Sequence, residues 1–274
     1  MTGLLDRIRN RWRRFRERKE IALLRELAAY APYSRGTPAP LAAIAVAAAA
    51  ETPGLLLDLA QSGPGEPAHD DWLHWDDLQA RPGERAAALG ELLCRHGSDK
   101  ASPHNYHVLY AHLLGDPATI DKVLEIGMGS NNEDVISNMT RAGKPGASLR
   151  AFRDYLPRAR IHGADIDRRI LFREDRIDTH HVDQTCGASL HDLATGVGSG
   201  FDLVIDDGLH SPHANLRTLS FALPLLKPGG FFVVEDIAAA AEPVWRLVAR
   251  LLPAGFRHQL ITTPRALVFV VQKT

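Results

Sequence analysis

From Ala118 onward the chain alternates apolar runs of four to six residues with longer segments that end in glycine. Runs this short, apolar almost throughout and spaced by helix-length stretches, are the pattern of buried parallel strands joined by crossover helices. They fall at Lys122–Ile126, Ile161–Ala164, Ile177–Val182, Phe201–Ile205 and Gly230–Val234. A late pair, Phe256–Ile261 and Ala266–Val271, is separated only by Thr262–Arg265, which predicts antiparallel pairing. Ala214–Leu226 and Pro243–Leu252 read as the helices on either side of the fifth strand, and Pro228–Gly229–Gly230 separates helix from strand. The expected fold class is α/β: a seven-stranded, mostly parallel sheet with the last strand antiparallel, preceded by a helical segment.

That segment spans residues 1–96 of the 274, and the sheet domain spans 97–274. Leu4–Tyr30 has apolar residues at helical spacing (Leu4, Ile8, Trp12, Phe15, then Ile21, Leu24, Leu27) and closes at Pro32. Eight basic residues lie between Arg7 and Lys19. A net charge of -1 supplies no second basic patch, so the arginines read as a solvated face of a helix packed on the body or on a second subunit. A second helix is expected within Pro38–Ala60, bounded by Pro53–Gly54, and Ser62–Asp71 reads as a loop. Trp72, Leu73, Trp75 and Leu78 form an apolar cluster, and Glu84–Cys94 a third helical stretch. No run is read as long and apolar enough to cross a membrane, Leu41–Ala50 coming nearest, and no signal peptide is read. Two cysteines, Cys94 and Cys186, are too few for a disulfide framework or thiolate zinc cluster. A cytoplasmic protein with no membrane or nucleic-acid partner is the expectation.

In a parallel sheet, ligands collect outside the carboxyl ends of the strands. Here those ends are polar: Glu125-Ile126-Gly127-Met128-Gly129-Ser130-Asn131, Asp165-Ile166-Asp167, Asp183-Gln184, Asp206-Asp207-Gly208-Leu209-His210 and Glu235-Asp236. Glycines at 127 and 129 permit close backbone approach, and Asp165 stands where a carboxylate takes ribose hydroxyls. A nicotinamide fingerprint is not met, because Asn132 stands where its last glycine belongs, and no P-loop motif is present. The two acidic doublets are expected side by side. Like charges so close repel unless a proton or cation intervenes, and short oxygen ligands suit magnesium or manganese. The alternative is a helix cap plus solvated strand ends. His210, three residues after Asp207, and His213, about a turn further, are both candidate bases, and the residues alone do not choose between them.

Taken in order, GSDK at Gly97–Lys100, LEIGMGSN at Leu124–Asn131, PGASLRAFRDYLP at Pro145–Pro157, GADID at Gly163–Asp167, VDQT at Val182–Thr185, LVIDDGLHS at Leu203–Ser211 and KPGGFFVVEDI at Lys227–Ile237 resemble the Rossmann-like class I S-adenosylmethionine-dependent methyltransferases. More narrowly, the chain is similar to the metal-dependent O-methyltransferases of macrolide deoxysugars, over roughly Gly97 to Thr274. The resemblance implies Glu125, Gly127, Gly129 and Ser130 at the cofactor's methionine and ribose. It puts Asp165 on the ribose, Asp183 and Gln184 near the adenine, and Asp206 toward the methionine side. It implies Asp207, Glu235 and Asp236 as ligands of Mg2+ (or Mn2+), and His210 as general base. The implied acceptor is a glycosylated or polyhydroxylated small molecule, with a catechol as the competitor and a non-catalytic cofactor-binding protein as the reading of another class. The stretch Asn131–Arg150 is implied to be a lid or subunit contact, and the protein a homo-oligomer. The first loop departs from the commonest form, with Asn131 where a third glycine is usual.

Overall fold

The computed structural model describes residues 2–63 and 72–274; the side chains of residues 2–11 and 13 fall outside that description. Five helices come first: α1 (Thr2–Glu26), α2 (Pro38–Gln61), α3 (Trp75–Ala80), α4 (Gly83–His96) and α5 (Tyr106–Leu114). Then follow β1 (Lys122–Ile126), α6 (Ala147–Tyr155), β2 (Arg160–Asp165), β3 (Arg173–Glu174), β4 (Ile177–His181), α7 (Gly187–Val197) and β5 (Phe201–Asp206). The chain ends with α8 (Pro212–Leu225), β6 (Leu226–Ile237), α9 (Glu242–Leu251), β7 (Phe256–Thr262) and β8 (Leu267–Lys273).

The sheet order is β3-β4-β2-β1-β5-β6-β8-β7. β4, β2, β1, β5 and β6 are parallel, and β8 runs antiparallel to both β6 and β7. The expected seven strands are all present. An eighth, the two-residue β3, pairs antiparallel with β4 at the edge; two polar residues leave no apolar run to read. Strand order reverses between β1 and β5, so the crevice opens above that pair.

Side chains alternate across the pleat and build one core on each face. Val123, Leu203, Ile205, Phe231 and Val233 pack under α4, α5 and α6. Leu124, Ile126, Val204, Phe232 and Val234 pack under α7, α8 and α9. Helices from the first 96 residues take part in both layers. Leu73, Trp75, Leu89 and Leu93 enter the first core, with Trp72 and Leu78 packed against it, and Leu59 of α2 enters the second.

Helix α2 differs from its expected length. It continues through Pro53 to Gln61, because Leu55, Leu56 and Leu59 beyond the proline pack on the core and outweigh the one hydrogen bond proline removes. The longer helix passes the length and hydropathy test for a membrane span, its best window averaging 1.6, which corrects the reading made on Leu41–Ala50. Its inner face nevertheless buries Leu41, Ala45, Ala48 and Thr52, and Glu51 pairs with Arg217 of α8 at 3.0 Å. In α1, Trp12 and Phe15 are exposed, so the body does not cover that part of the predicted stripe. Most of the predicted loop Ser62–Asp71 lies outside the described residues.

Candidate active site

The polar strand ends meet above the β1–β5 reversal, but β5 and β6 bring their acids there by two different routes. β5 obeys the pleat. Asp206 follows Val204 onto the α8 face and is fully buried, accepting hydrogen bonds from Nε2 of Gln184 (2.7 Å), Nδ2 of Asn215 (3.0 Å) and the amide of Gly208 (3.3 Å). Burial pushes its carboxyl above the ordinary range. Asp206 lines neither of the cavities described below; it ties β5 to α8 and to the loop after β4. Asp207 turns the other way, into the crevice.

β6 breaks the pleat. Glu235 lies on the face of Phe231 and Val233, and Asp236 would alternate away, but its φ is +52° and the pairing with β8 slips between Val234 and Ile237. This inserted residue brings Asp236 back beside Asp207. Among the described residues, Asp207, His210 and Asp236 offer ligand atoms that all lie within 4.8 Å of one another. Asp207 and Asp236, both partly exposed, are oxygen donors of the kind a hard divalent cation takes, with the partly exposed imidazole of His210 beside them. His210 also has a φ of +52°, an uncommon conformation for a residue with a side chain, and its Nε2 is 3.8 Å from Oδ1 of Asp207. Its Nδ1 is buried with no hydrogen-bond partner.

Glu235 is held apart from that trio. Its carboxylate accepts hydrogen bonds from the ammonium of Lys100 (2.5 Å) and from the hydroxyl of Tyr110. Lys100, 2% exposed, also reaches Asp207 at 2.6 Å and Glu125 at 3.2 Å. Burial works against this ammonium, but the three carboxylates outweigh it and keep its pKa well above the ordinary value. Burial also raises Glu125 and Glu235. Lys100 thus occupies the space between Asp207 and Glu235 in which the sequence reading put a divalent ion.

Several members of the site were not read from the sequence. Lys100 stands in the sequence only as the last residue of GSDK, and no motif singles out Tyr110 or Tyr106, whose hydroxyl donates to Asp236 at 2.6 Å. The available signal was a pair of tyrosines one helical turn apart in the buried helix α5, since a buried phenol needs a partner. His104 Nδ1 lies 3.4 Å from Asp236. His213, the other candidate, is 2% exposed, lies 3.1 Å from Ser211 Oγ, is held below its usual pKa by burial and lies outside both cavities described below, whereas His210 lines one of them.

On the other side, a cavity of about 430 Å³ runs between the ends of β1, β2 and β4. Ile126, Ile166, Val135 and Ile136 give it apolar walls, and Gly127, Gly129, Ser130, Asp165, Asp183 and Gln184 line it. A Cβ on Gly127 would stand 2.1 Å from the carbonyl oxygen of Asp207, so glycine is required there for the β1 and β5 loops to meet. Asp165, raised by burial, accepts from the amides of Met128 (3.1 Å) and Asp167 (2.9 Å) and so holds the loop after β1. Asp167 anchors the same loop through Ser130 Oγ (2.6 Å) and Asn132 Nδ2 (2.7 Å). Asp183 accepts from the amide and hydroxyl of Thr185 in the loop before α7. Gln184 spends both N–H groups on Asp206 and Thr218, and its oxygen accepts from Leu209 N at 2.9 Å. A second, polar cavity of about 550 Å³ adjoins the first and contains Glu125, Asp207, His210 and Asp236. The loop from Ser137 to Lys144 walls it, and Ser137 lines both cavities.

Residues 142–237 match the family described as Methyltransferase domain, within a sheet that has a glycine turn after β1 and an acidic end to β2. The chain's relatives are narrower in kind. The 8-demethyl-8-alpha-L-rhamnosyl tetracenomycin-C 2'-O-methyltransferase of Streptomyces olivaceus is 36% identical over 170 residues, 62% of this chain and 43% of that protein. The mycinamicin VI 2''-O-methyltransferase of Micromonospora griseorubida is 38% identical over 123 residues, 44% of this chain and 28% of that protein. The solved structure of the methyltransferase MycE from the mycinamycin pathway, with Mg and SAH, superposes with a TM-score of 0.52 at 26% identity, over 68% of this chain and 54% of that one. The chain spans less than half the length of these curated relatives.

Proposed function

We propose that this protein is a metal-dependent O-methyltransferase that moves the methyl group of S-adenosylmethionine to a hydroxyl of a glycosylated natural product or its sugar. The observation that carries the reading is the convergence of Asp207, His210 and Asp236 beside a cavity lined by the glycine loop and Asp165. Relatives that methylate rhamnosyl and macrolide sugars support the acceptor class.

The apolar cavity would take the adenosine part of the donor, with a free lone pair of Asp165 directed to the ribose and Gly127, Gly129 and Ser130 at the turn. Asp183 lines the adenine end. Gln184 acts there by bracing the wall, since its amide is already engaged. Asp207 and Asp236 would hold magnesium or manganese, with Glu235 held in reserve by Lys100 and Tyr110. When bound, such an ion lowers the pKa of a coordinated hydroxyl and fixes its oxygen. His210 Nε2 accepts the acceptor's proton, and its placement comes from its backbone: the amide of Tyr33 donates to the carbonyl of His210 at 3.1 Å. The exposed Trp12 and Phe15 are the surface that a homo-oligomer contact would cover.

The test is calorimetry with S-adenosylmethionine, followed by methyl transfer to deoxysugar glycosides and catechols with magnesium or with EDTA. Metal-dependent transfer to a glycoside is expected. Full activity in EDTA would remove the metal from the reading, and activity on catechols alone would replace the acceptor.

A further inference from the structure

The polar cavity is charged in a graded way. Its floor carries Asp207 and Asp236, whereas its exposed lining residues include three cations, Arg35, Lys144 and Arg265, against one acid, Asp99. None of the three cations forms an ion pair among the described residues, in contrast with Arg150, Arg153, Arg169 and Arg217, each of which is paired with a carboxylate.

Two of these cations sit on a tethered frame. The linker between α1 and α2 crosses the cavity mouth and is fastened at four points: Tyr33 N to His210 O (3.1 Å), Ser211 Oγ to Tyr30 O (3.1 Å), Ser137 N to Ser34 Oγ (3.0 Å) and Tyr33 Oη to Arg265 O (3.3 Å). The same linker that bonds the backbone of His210 therefore presents Arg35, and its tyrosine bonds the turn that presents Arg265. Unpaired guanidinium groups on a fixed frame are suited to oxyanions, which they bind through paired N–H donors. A large apolar aglycone would instead call for apolar walls.

We infer that the acceptor is an acidic carbohydrate, one carrying a phosphate or carboxylate group, bound with that group at Arg35, Arg265 and Lys144 and a hydroxyl toward His210. The inference rests on the methyltransferase reading and narrows its substrate class. An anion at the mouth and a hydroxyl at the acidic floor give one favoured orientation, because the reversed one places the anion against Asp207 and Asp236.

The experiment is calorimetry on protein saturated with S-adenosylhomocysteine, using UDP-glucose, glucose 1-phosphate, glucuronate and methyl glucoside as probes. At least one anionic probe is expected to bind tenfold or more tightly than methyl glucoside, and the preference is expected to fall between 50 and 500 mM salt. The comparison of phosphate and carboxylate probes identifies which oxyanion the frame takes. The double variant Arg35→Gln/Arg265→Gln is expected to lose the preference and Arg35→Lys/Arg265→Lys to keep part of it, both with unchanged S-adenosylhomocysteine affinity and thermal midpoint. Equal binding of neutral and anionic probes, or no binding of any of them, overturns the inference. So does weaker S-adenosylhomocysteine binding in the double variant, which would assign the arginines to the donor's own carboxylate. Failure of the unmodified protein to bind S-adenosylhomocysteine would instead sink the methyltransferase reading.

Discussion

The two acidic doublets look alike in the sequence and end up with opposite roles. Asp206 and Asp207 follow the pleat, so one is buried beneath α8 and the other opens into the crevice. Glu235 and Asp236 do not, because the left-handed residue Asp236 is an insertion in the ladder and both side chains finish on the same side. A regular strand can offer only one of two neighbours to a site. A bulge can offer both, at the cost of a strained backbone.

This contrast can be broken experimentally. The largest effects belong to the open side. His210→Ala is expected to lower turnover by about 10²–10⁴-fold, the usual contribution of a positioned base, with the circular dichroism spectrum unchanged. Asp207→Asn is expected to remove Mn2+ binding in calorimetry. Next comes the ammonium between the doublets. Lys100→Met leaves Glu125 and Glu235 buried without their counter-charge and is expected to destabilise the protein by about 3–5 kcal/mol in urea unfolding. A loss below about 1 kcal/mol would show that Lys100 is not the counter-charge of these acids. Smaller again, Asp206→Ala strands Gln184 and Asn215 and is expected to cost about 1–3 kcal/mol, with Mn2+ affinity unchanged. If Asp206→Ala abolished Mn2+ binding instead, the division of labour between the neighbours would be wrong.

The smallest effect is a control in the same sheet, away from both doublets. His162 of β2, whose Nδ1 lies 3.2 Å from Nε2 of His180, is lowered to about 4 by burial and by the neighbouring imidazole. The unfolded chain therefore binds this proton more readily than the folded one, and stability is lost as pH falls from about 6.5 towards 4. Between pH 7 and 5 the loss attributable to His162 is expected to be about 1–2 kcal/mol. Urea unfolding of His162→Gln at the two pH values checks it, and an unchanged pH slope would refute it.

The strands were readable because each is a local apolar run: β1 is found at the residues expected, and β2, β4, β5, β7 and β8 differ by a residue or two at their ends. The short β3 was not readable, having no such run. The acids were readable as residues, but not their directions, since the bulge at Asp236 depends on how β6 pairs with β8. Lys100 was hidden for a different reason. Its partners Asp207 and Glu235 lie 107 and 135 residues away, a separation that no local pattern spans.

By itself, then, the sequence determined the order of the elements, the polar character of the strand ends and the place of the glycine turn. Each of these follows from neighbouring residues through periodicity and backbone freedom. Tertiary structure alone decided which carboxylates share the open site, that Lys100 enters among them, and that the linker after α1 lies across the cavity mouth. These depend on long-range packing, where the cost of burying charge selects among arrangements that the local pattern leaves equal.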